Sequence, residues 1–583
     1  MTTAPTDSIL VVDIGNITTR AALFDIVSGD FRFVAGGEAR STAEPPYANV
    51  EEGLHHALEE LQKVTGRAFV DANDRVIIPT APDGNGVDSF AATASVGDPL
   101  RVAVVGLMPN ISLSSAHRLA ASTYALVGEA LGLGDRRREA QQLDALLAAK
   151  PEVVIIAGGT ENGSQSAVLR LAETVALASR RMPEGTRPEI LFAGNGAMQD
   201  KIKAMFEGLS EVFVADNLRP ELDNEIIAPA RRQLAWLYEH IRLASFGGYT
   251  DLSQWGTGSV TPTATAFGNV IRFMSETSGN KSTLGVDVGS MSTVMAAATG
   301  DDLVLTVRPD VGVGHSALRL LSQAKLDHIS RWLPEDFSDD EVRDYVYNKS
   351  LAPATVPHEL REIYLEHALA RQCLQATFAT ARPAWAGKVK ATYGGLMPAF
   401  ETIIGSGAVL GRAPRFGQAA LMMVDGLQPT GVVTLMLDMH NLLPAVGAAA
   451  MQNPIAAAQV LQSQSFASLG VVVSLVGEAR LGQNVVRVKL NPTQGEAVDM
   501  KVPYGSLEVL RLPPGQEAKL TVQPLRGFDA GFGAGVSKTM TITGGEVGVI
   551  IDARGRPIEF PATPEKQRDA VSRWCARLGE YGI

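Results

Sequence analysis

The stretch VVDIGNITTRAALFD, residues 11–25, decides the fold of this chain, because LGVDVGSMSTVMAAA at residues 284–298 repeats its design. Each stretch has an apolar run, an Asp-x-Gly followed by hydroxyl or amide residues, and a second apolar run. Glycine and small polar residues of this kind are typical of tight turns. Both stretches are therefore predicted to form β-hairpins rather than strand-to-helix loops, with Asp13 and Asp287 in corresponding positions.

Such a hairpin has the chemistry of an anion site. Glycine and small polar residues let backbone N–H groups close around an oxygen anion, and an aspartate holds Mg²⁺ directly or through water. One copy is weak evidence, because Asp and Gly are ordinary turn residues. The two copies are separated by residues 26–283, which is enough chain for a whole lobe. Two such hairpins that face each other would clamp a polyphosphate from both sides.

This pattern resembles the actin/Hsp70/sugar-kinase superfamily of two-lobed ATPases, in which each lobe carries one phosphate hairpin. The stretch IIGSGAVL at 403–410 is similar to the adenosine segment of that superfamily, and LPAVGAAAM at 443–451 is similar to its second connecting helix. The resemblance implies an α/β fold, a two-lobed actin-like ATPase with ribonuclease H-like lobes. It also implies ATP and Mg²⁺ as cofactors.

The resemblance assigns candidate roles residue by residue. Asp13 is the candidate Mg²⁺ ligand and Asp287 is the candidate that orients the attacking water, so both are predicted to be catalytic. The other predicted nucleotide-binding residues are Gly15, Asn16, Thr18, Thr19 and Arg20 of the first hairpin, Gly289, Ser290, Ser292 and Thr293 of the second, and Gly405, Ser406 and Gly407 of the adenosine segment.

Further motifs narrow the resemblance to the glutamate mutase L family, an accessory ATPase found with adenosylcobalamin-dependent glutamate mutase. The likeness covers about residues 8–455 and is carried by GGTENG at 158–163, DNLRPEL at 216–222, LEHALAR at 365–371, IGSGAVL at 404–410 and LDMHNLLP at 437–444. It implies a chaperone-like reactivating factor for an adenosylcobalamin-dependent mutase. Nucleotide-driven movement of the lobes would open the mutase and release damaged cobalamin.

Two positions depart from the family pattern. Val294 stands where the second hairpin usually carries Asp, and Arg20 stands where Lys is commoner. Arginine keeps the charge but changes the donor geometry. Because phosphoryl transfer relies mostly on positioning and electrostatics, a missing carboxylate is expected to slow turnover without abolishing nucleotide binding.

The chain is too long for one hydrophobic core, since it has 583 residues. Apolar strands at 102–105, 153–156, 190–193 and 212–215 alternate with helical stretches, which predicts a parallel sheet. Short strands between Gly, Pro and Asp turns after residue 465 predict a β sandwich or barrel. The predicted units are 1–100, the first part of the first ATPase lobe; 101–217, an inserted flavodoxin-like α/β unit; 218–464, the second lobe and connecting helices; 465–562, a C-terminal β-rich domain; and 563–583, a C-terminal helix.

Loops rich in small or polar residues follow three strands of the inserted unit, at 106–110, 158–163 and 194–196. Parallel sheets bind ligands at the carboxyl ends of their strands, so these loops are candidates for a small-molecule or anion site. The alternative is that the glycines only turn the chain into the next helix. The unit is also the candidate docking element for the mutase.

Composition excludes several other classes of protein. A net charge of −12, with no basic run longer than residues 136–138, argues against a nucleic-acid partner. Cys373 and Cys575 form no CxxC pair, so a structural zinc or a cysteine-held iron–sulfur cluster, by which some ATPases of this superfamily activate dehydratases, has no ligands. We expect a cytoplasmic protein without a membrane partner, because no leader or long apolar span is recognisable.

Two alternatives to the accessory ATPase stay open on the sequence. A small-molecule kinase of the same superfamily needs a carboxylate base beside the substrate hydroxyl, and no suitable Asp stands out in the sequence. An actin-like protein that assembles with ATP is neither required nor excluded by the acidic composition.

Overall fold

The computed structural model describes residues 7–161, 163–255, 260–386, 388–389 and 393–579. The predictions that fall on Asn162, on residues 1–6 and on residues 580–583 therefore lie outside the described residues.

The first half of the chain alternates strands and helices. Its elements are β1 Ser8–Ile14, β2 Thr18–Val27, β3 Asp30–Arg40, α1 Val50–Thr65, β4 Ser89–Ala94, β5 Leu100–Gly106, α2 Ser114–Ala120, β6 Ala125–Gly132, α3 Glu139–Ala149, β7 Val153–Ile156, α4 Ser166–Arg181, β8 Glu189–Phe192, α5 Gln199–Phe206, β9 Val212–Val214, α6 Ala228–Ile241, α7 Tyr249–Trp255, β10 Val260–Pro262 and α8 Thr263–Thr277. A π-helical turn, Pro109–Leu113, precedes α2.

The second half begins with another run of strands. Its elements are β11 Thr283–Val288, β12 Thr293–Thr299, β13 Asp302–Arg308, α9 Ala317–Gln323, α10 Asp327–Ser330, α11 Asp339–Leu351, α12 Leu360–Trp385, β14 Thr402–Ser406, α13 Ala408–Gly411, α14 Phe416–Leu427, β15 Gly431–Asp438, α15 Leu443–Gln452, α16 Pro454–Leu461, β16 Phe466–Ser474, β17 Asn484–Pro492, β18 Val498–Pro503, β19 Leu507–Leu510, β20 Glu517–Pro524, β21 Lys538–Thr543, β22 Gly548–Asp552 and α17 Pro564–Gly579.

Two sheets repeat one strand arrangement. The first has the order β3-β2-β1-β4-β10, and the second contains β13-β12-β11-β14-β15. In both, the first three strands pair with one another in antiparallel fashion, and the fourth and fifth strands are added in parallel to the third. The predicted two-lobed α/β fold with one hairpin per lobe is therefore confirmed.

The inserted unit is a sheet of five parallel strands with the order β6-β5-β7-β8-β9. Counted along the unit this order is 2-1-3-4-5, which is the flavodoxin-like order. The sequence predicted four of these strands and missed β6. The reason is that only the ends of β6 are buried, so Gly128 and Glu129 interrupt its apolar pattern.

The predicted β-rich segment is divided between two sheets. Strands β16, β22 and β19 extend the sheet of the second lobe to eight strands, whereas β18-β17-β20-β21 form a separate antiparallel sheet. Val473 and Ile551 of the large sheet share a hydrophobic cluster with Val488 and Val522 of the small one. The two sheets thus pack face to face, as the sandwich prediction expected, but three strands belong to the lobe sheet.

Helices α8 and α15 lie between the two hairpin sheets, since α8 contacts β12 and α15 contacts β4. Their approach is close: a Cβ on Gly447 would lie 2.0 Å from the carbonyl oxygen of Ala266. The predicted connecting helix at 443–451 is therefore a helix whose small residues allow close contact. Across the described residues, no helix combines the length and apolar character needed to cross a membrane.

Candidate functional site

The turns of the two hairpins are closed by the same hydrogen bond. In the first, the N–H of Gly15 donates to the carbonyl of Thr18 at 3.0 Å, and in the second, the N–H of Gly289 donates to the carbonyl of Ser292 at 2.9 Å. This shared geometry follows from the shared spacing of glycine and hydroxyl residues in the sequence.

Asp13 and Asp287 lie on one cavity of about 320 Å³ between the lobes. The tips of the hairpins touch, because Nδ2 of Asn16 lies 2.6 Å from the sulfur of Met291. The volume falls within the range of about 300–1,000 Å³ that is usual for ligand pockets. The two aspartates therefore face one another from opposite lobes.

The carboxylate of Asp13 is held by groups from three elements. The hydroxyls of Thr93 on β4 and Thr263 on α8 donate to its Oδ1 at 2.7 and 2.8 Å. Nη1 of Arg20 lies 3.9 Å from its Oδ2. Asp13 is only 8% exposed, so this carboxylate has a fixed orientation with one oxygen left toward the cavity.

Arg20 also begins a chain of charges that crosses the cleft. Its Nε donates to Oε1 of Glu38 at 3.1 Å, and Glu38 pairs with Arg412, which follows α13 in the second lobe. Burial alone would raise the pKa of Glu38, but the hydrogen bond from Arg412 and the charge of Arg20 outweigh it, and the pKa is lowered. Glu38 is thus an anionic bridge between the lobes.

Asp287 is much less constrained than Asp13. Within the described part of the chain its carboxylate accepts no hydrogen bond, although it lines the same cavity. Burial, followed by the negative charge of Asp13, raises the pKa of Asp287 to about 7, and Arg20 partly opposes this rise. Asp287 can therefore exchange a proton near neutral pH.

The adenosine-like segment packs against the second hairpin. Gly407 has φ +96°, and a Cβ there would lie 2.3 Å from the carbonyl oxygen of Val288, so this position requires glycine. Asn441 and Asp438 fix the segment by accepting bonds from the Gly407 N–H and the Ser406 hydroxyl, each at 3.0 Å.

Most of the predicted binding residues line the cavity, but three do not. Those that line it are Asp13, Gly15, Asn16, Thr18, Arg20, Asp287, Gly289, Ser290, Ser292, Ser406 and Gly407. Thr19 and Thr293 point away from it, because side chains alternate along a strand; Thr19 is fully buried and the Thr293 hydroxyl donates to the carbonyl of Val311. Gly405 faces the core, where a Cβ would meet the sulfur of Met423.

The sequence profile of a family described as MutL protein matches residues 9–465 of this chain. The chain belongs to the MutL protein family. The resemblance to the glutamate mutase L family that the motifs predicted is therefore confirmed. No curated protein matches the sequence.

Solved structures that are similar to this MutL-family chain are distant. Nucleotide-free acetone carboxylase is 12% identical over 86% of this chain and 81% of its own, with a TM-score of 0.31. Component A of (R)-2-hydroxyglutaryl-CoA dehydratase from Acidaminococcus fermentans is 8% identical over 78% of this chain and 97% of its own (TM-score 0.25). A ROK family glucokinase from Streptomyces griseus in complex with glucose and AMPPNP is 10% identical over 76% and 98% (TM-score 0.29).

Sequence reasoning did not assign the side chains of α11 and α12 that close the cavity in this MutL-family protein. Nζ of Lys349 donates to Oε2 of Glu366 at 2.9 Å and to the carbonyl of Thr355 at 2.6 Å. Burial and the charge of Arg371 lower the pKa of His367 to about 3, so the imidazole is neutral. The LEHALAR motif contains Glu366 and His367, but helical periodicity does not reveal which face meets the cleft.

A Mg²⁺ ion fits the donor set of this cavity. Mg²⁺ keeps several waters and binds through one or two carboxylates together with substrate phosphates. Asp13 and Asp287 supply such carboxylates on facing walls. The described residues contain no group of three or more His, Cys, Asp or Glu that could hold a metal.

The glycine-containing loops of the inserted unit pack closely against one another at the carboxyl ends of its strands. A Cβ on Gly194 would lie 2.6 Å from the carbonyl oxygen of Gly158, and a Cβ on Gly158 would lie 2.9 Å from Leu107. Nδ2 of Asn217 donates to the carbonyl of Gly159 at 2.9 Å. This packing accounts for the glycines and favours the interpretation in which they turn the chain.

Both cysteines are free in the described structure. Burial raises the pKa of Cys373 to about 12 and that of Cys575 to about 11. Thiols of this kind are protonated and inert, which agrees with the expectation that they are small core residues.

Proposed function

We propose that this MutL-family protein binds ATP with Mg²⁺ between the two hairpins and hydrolyses it, and that the resulting lobe movement reactivates an adenosylcobalamin-dependent mutase. The observation that carries the proposal is the position of Asp13 and Asp287 on facing walls of one cavity. Family membership supports the accessory role.

The difference between the two aspartates supports a division of roles. Asp13, oriented by Thr93 and Thr263, would hold Mg²⁺, which supplies charge neutralisation at the phosphates when bound. Asp287, whose carboxylate accepts no bond within the described part of the chain, would orient the attacking water and take its proton.

The outer part of the cavity suits a nucleoside. Val356, Ile363 and Val409 give it apolar walls, and the Lys349–Glu366 pair lies beside them. Purine bases are flat and carry polar edges, so they need both an apolar wall and hydrogen-bonding groups. The presence of both carboxylates and apolar side chains in the lining supports a nucleoside triphosphate as the ligand.

The ion pairs that cross the cleft between the lobes are weak enough to break during a reaction cycle. Besides the Glu38–Arg412 pair, Nε2 of His315 lies 3.3 Å from Oε2 of Glu44. Partly exposed pairs of this kind contribute only about 0–1 kcal/mol each. Exchange of ATP for ADP could therefore shift the lobes between closed and open positions.

ATP binding and hydrolysis are tested first on the full chain. Asp13→Ala and Asp287→Ala are each expected to lower Mg²⁺-dependent ATPase activity by about 100-fold or more. Asp302→Ala, an exposed position on β13, is the matched control and is expected to keep wild-type activity. Wild-type turnover in either site variant would refute the assigned roles.

Docking to the mutase is assigned to the carboxyl-end edge of the inserted sheet. Met108 and Leu133 are about half exposed there, and they are neighbours because the N–H of Leu133 donates to the carbonyl of Leu107. The full chain with Met108→Asp and Leu133→Asp is expected to retain ATPase activity but lose reactivation of inactivated mutase. Leu177→Asp, equally exposed on α4, is the control; equal loss in both proteins would contradict docking at this edge.

A further inference from the structure

A second cavity, of about 450 Å³, lies where the inserted unit meets the second lobe, and we call it the junction cavity. Its walls come from α2, the start of β6, α6, β13 and the end of α12. Among the described residues, none lines both this cavity and the hairpin cavity. The stretch 121–125 separates the two: Ala121, Ser122 and Ala125 face the junction cavity, and Tyr124 faces the hairpin cavity.

The described lining of the junction cavity has an excess of positive charge. Four of its side chains are cations, Arg118, Arg231, Arg308 and Lys388, and two are carboxylates, Glu225 and Asp310. The cations therefore outnumber the carboxylates that can neutralise them.

Glu225 is already shared among several cations. Nε of Arg118 donates to its Oε1 at 2.9 Å, Nη2 of Arg219 lies 3.3 Å from the same oxygen, and Nζ of Lys388 lies 3.8 Å from Oε2. Asp310 is occupied by Arg308, whose Nε lies 2.7 Å from its Oδ1. Neither carboxylate is left to neutralise another cation.

Arg231 has no carboxylate partner within the described part of the chain. Its Nη1 donates only to the carbonyl of Leu303, at 3.1 Å. The residue is half-buried, and burial together with the like charges of Arg272 and Arg232 lowers the pKa of its guanidinium to about 10. Taking a charge out of water without a counter-charge is costly, and an anion in the cavity would relieve that cost.

The rest of the lining is largely apolar. It includes Ala125, Val127, Ile227, Leu305, Val307 and Pro383. His117 also faces the cavity, and burial lowers its pKa, so it adds little positive charge at neutral pH. A bare inorganic anion would leave this apolar surface uncovered, whereas an anion with a short hydrocarbon body would cover it.

We propose that the junction cavity is a binding site for a small organic carboxylate, whose head group pairs with Arg231 and whose hydrocarbon body packs on Leu305 and Val307. Arg231, Leu305 and Val307 do not line the hairpin cavity, so the proposal stands whether or not the nucleotide proposal is correct.

Hexanoate is the probe for this site, with 1-hexanol as its neutral counterpart and inorganic phosphate as the anion without a hydrocarbon body. Isothermal titration or ligand-observed NMR on the full-length protein is expected to show saturable binding of hexanoate and weaker binding of the other two. If phosphate binds more tightly than hexanoate, or if hexanol binds equally, the proposed ligand class is wrong.

Substitutions of Arg231 test whether hexanoate binds in the junction cavity. Arg231→Met is expected to weaken hexanoate binding by about tenfold or more, because a charged hydrogen bond is lost. Arg231→Lys keeps the charge and is expected to restore much of the affinity. Arg180→Met removes an exposed charge on α4 that does not line the cavity and serves as the matched control. Equal affinity in wild type and Arg231→Met, with circular dichroism unchanged, would overturn the assignment.

Discussion

The hairpins β1–β2 and β11–β12 share a turn, a register and a cavity, yet their aspartates stand in opposite environments. Asp13 accepts two hydroxyl hydrogen bonds and lies beside Arg20. Asp287 lies opposite Val294 in the same register position and accepts no hydrogen bond in the described structure. The same backbone therefore holds two carboxylates with different properties, because the side chains around each carboxylate determine its charge and its freedom to move.

The strongest challenge to this comparison is to remove the proposed proton acceptor, Asp287, alone. Asp287→Asn keeps the shape of the side chain, and we expect kcat for ATP hydrolysis to fall by about 10²–10⁴-fold, as is usual for loss of a general base. The Kd for ATP is expected to change by no more than about threefold. Single-turnover kinetics and calorimetry measure the two quantities, and a kcat within tenfold of wild type would remove Asp287 from the proton transfer.

The raised pKa of Asp287 also predicts a pH-dependent stability in nucleotide-free, metal-free protein. The folded state holds this proton up to about pH 7, whereas the unfolded chain releases it near 3.8. Stability should therefore fall as pH rises between these values. Asp287→Asn removes that loss, so it should stabilise the protein by about 2–4 kcal/mol at pH 8 and hardly at all near pH 4.

Thermal and urea unfolding in EDTA at the two pH values test this prediction. Asp302→Asn, at an exposed carboxylate, is the control and should show no such gain. A stabilisation by Asp287→Asn that is the same at both pH values would mean that ionisation of Asp287 is not its source.

The hydroxyls around Asp13 allow a test of the other half of the comparison. Thr93→Val removes one donor to Oδ1, and we expect the Mg²⁺ concentration needed for half-maximal activity to rise by about 10–100-fold, as for other groups that orient a metal ligand. Thr293→Val is the matched control on the second hairpin, because its hydroxyl bonds to Val311 rather than to Asp287. Equal effects of the two substitutions would contradict the difference drawn between the hairpins.

Replacing Arg20 by lysine should have the smallest effect. Lysine keeps a positive charge near Asp13 but cannot contact Asp13 and Glu38 together in the geometry seen for arginine. We expect kcat/KM for ATP to change by less than about fivefold, in line with the small energies of partly exposed ion pairs. Arg40→Lys, exposed on β3, is the control, and a loss of 100-fold in Arg20→Lys would show that the donor geometry itself is essential.

Local signals explain why the hairpins could be predicted and other parts could not. Asp13 and Asp287 each lie in a short sequence pattern that determines the local turn. Gly407 has a positive φ that favours glycine, and the GSG motif at 405–407 indicates such a conformation. Lys349 and Glu366 meet only because α11 and α12 pack together. The joining of β16, β22 and β19 to the second lobe likewise depends on long-range strand pairing, which short-range periodicity does not determine.

The stretch 121–125 contacts both cavities, because Tyr124 faces one and its neighbours face the other. This position affects how the protein responds to its ligands. Burial and the nearby charges of Asp287 and Asp13 raise the pKa of the Tyr124 phenol far above the usual value, so this side chain remains neutral in the hairpin cavity, whereas Ala121, Ser122 and Ala125 line the junction cavity. A ligand in either cavity that moves the stretch 121–125 therefore changes the shape of the other cavity. Thermodynamic reciprocity then requires that each ligand change the affinity of the other by an equal factor.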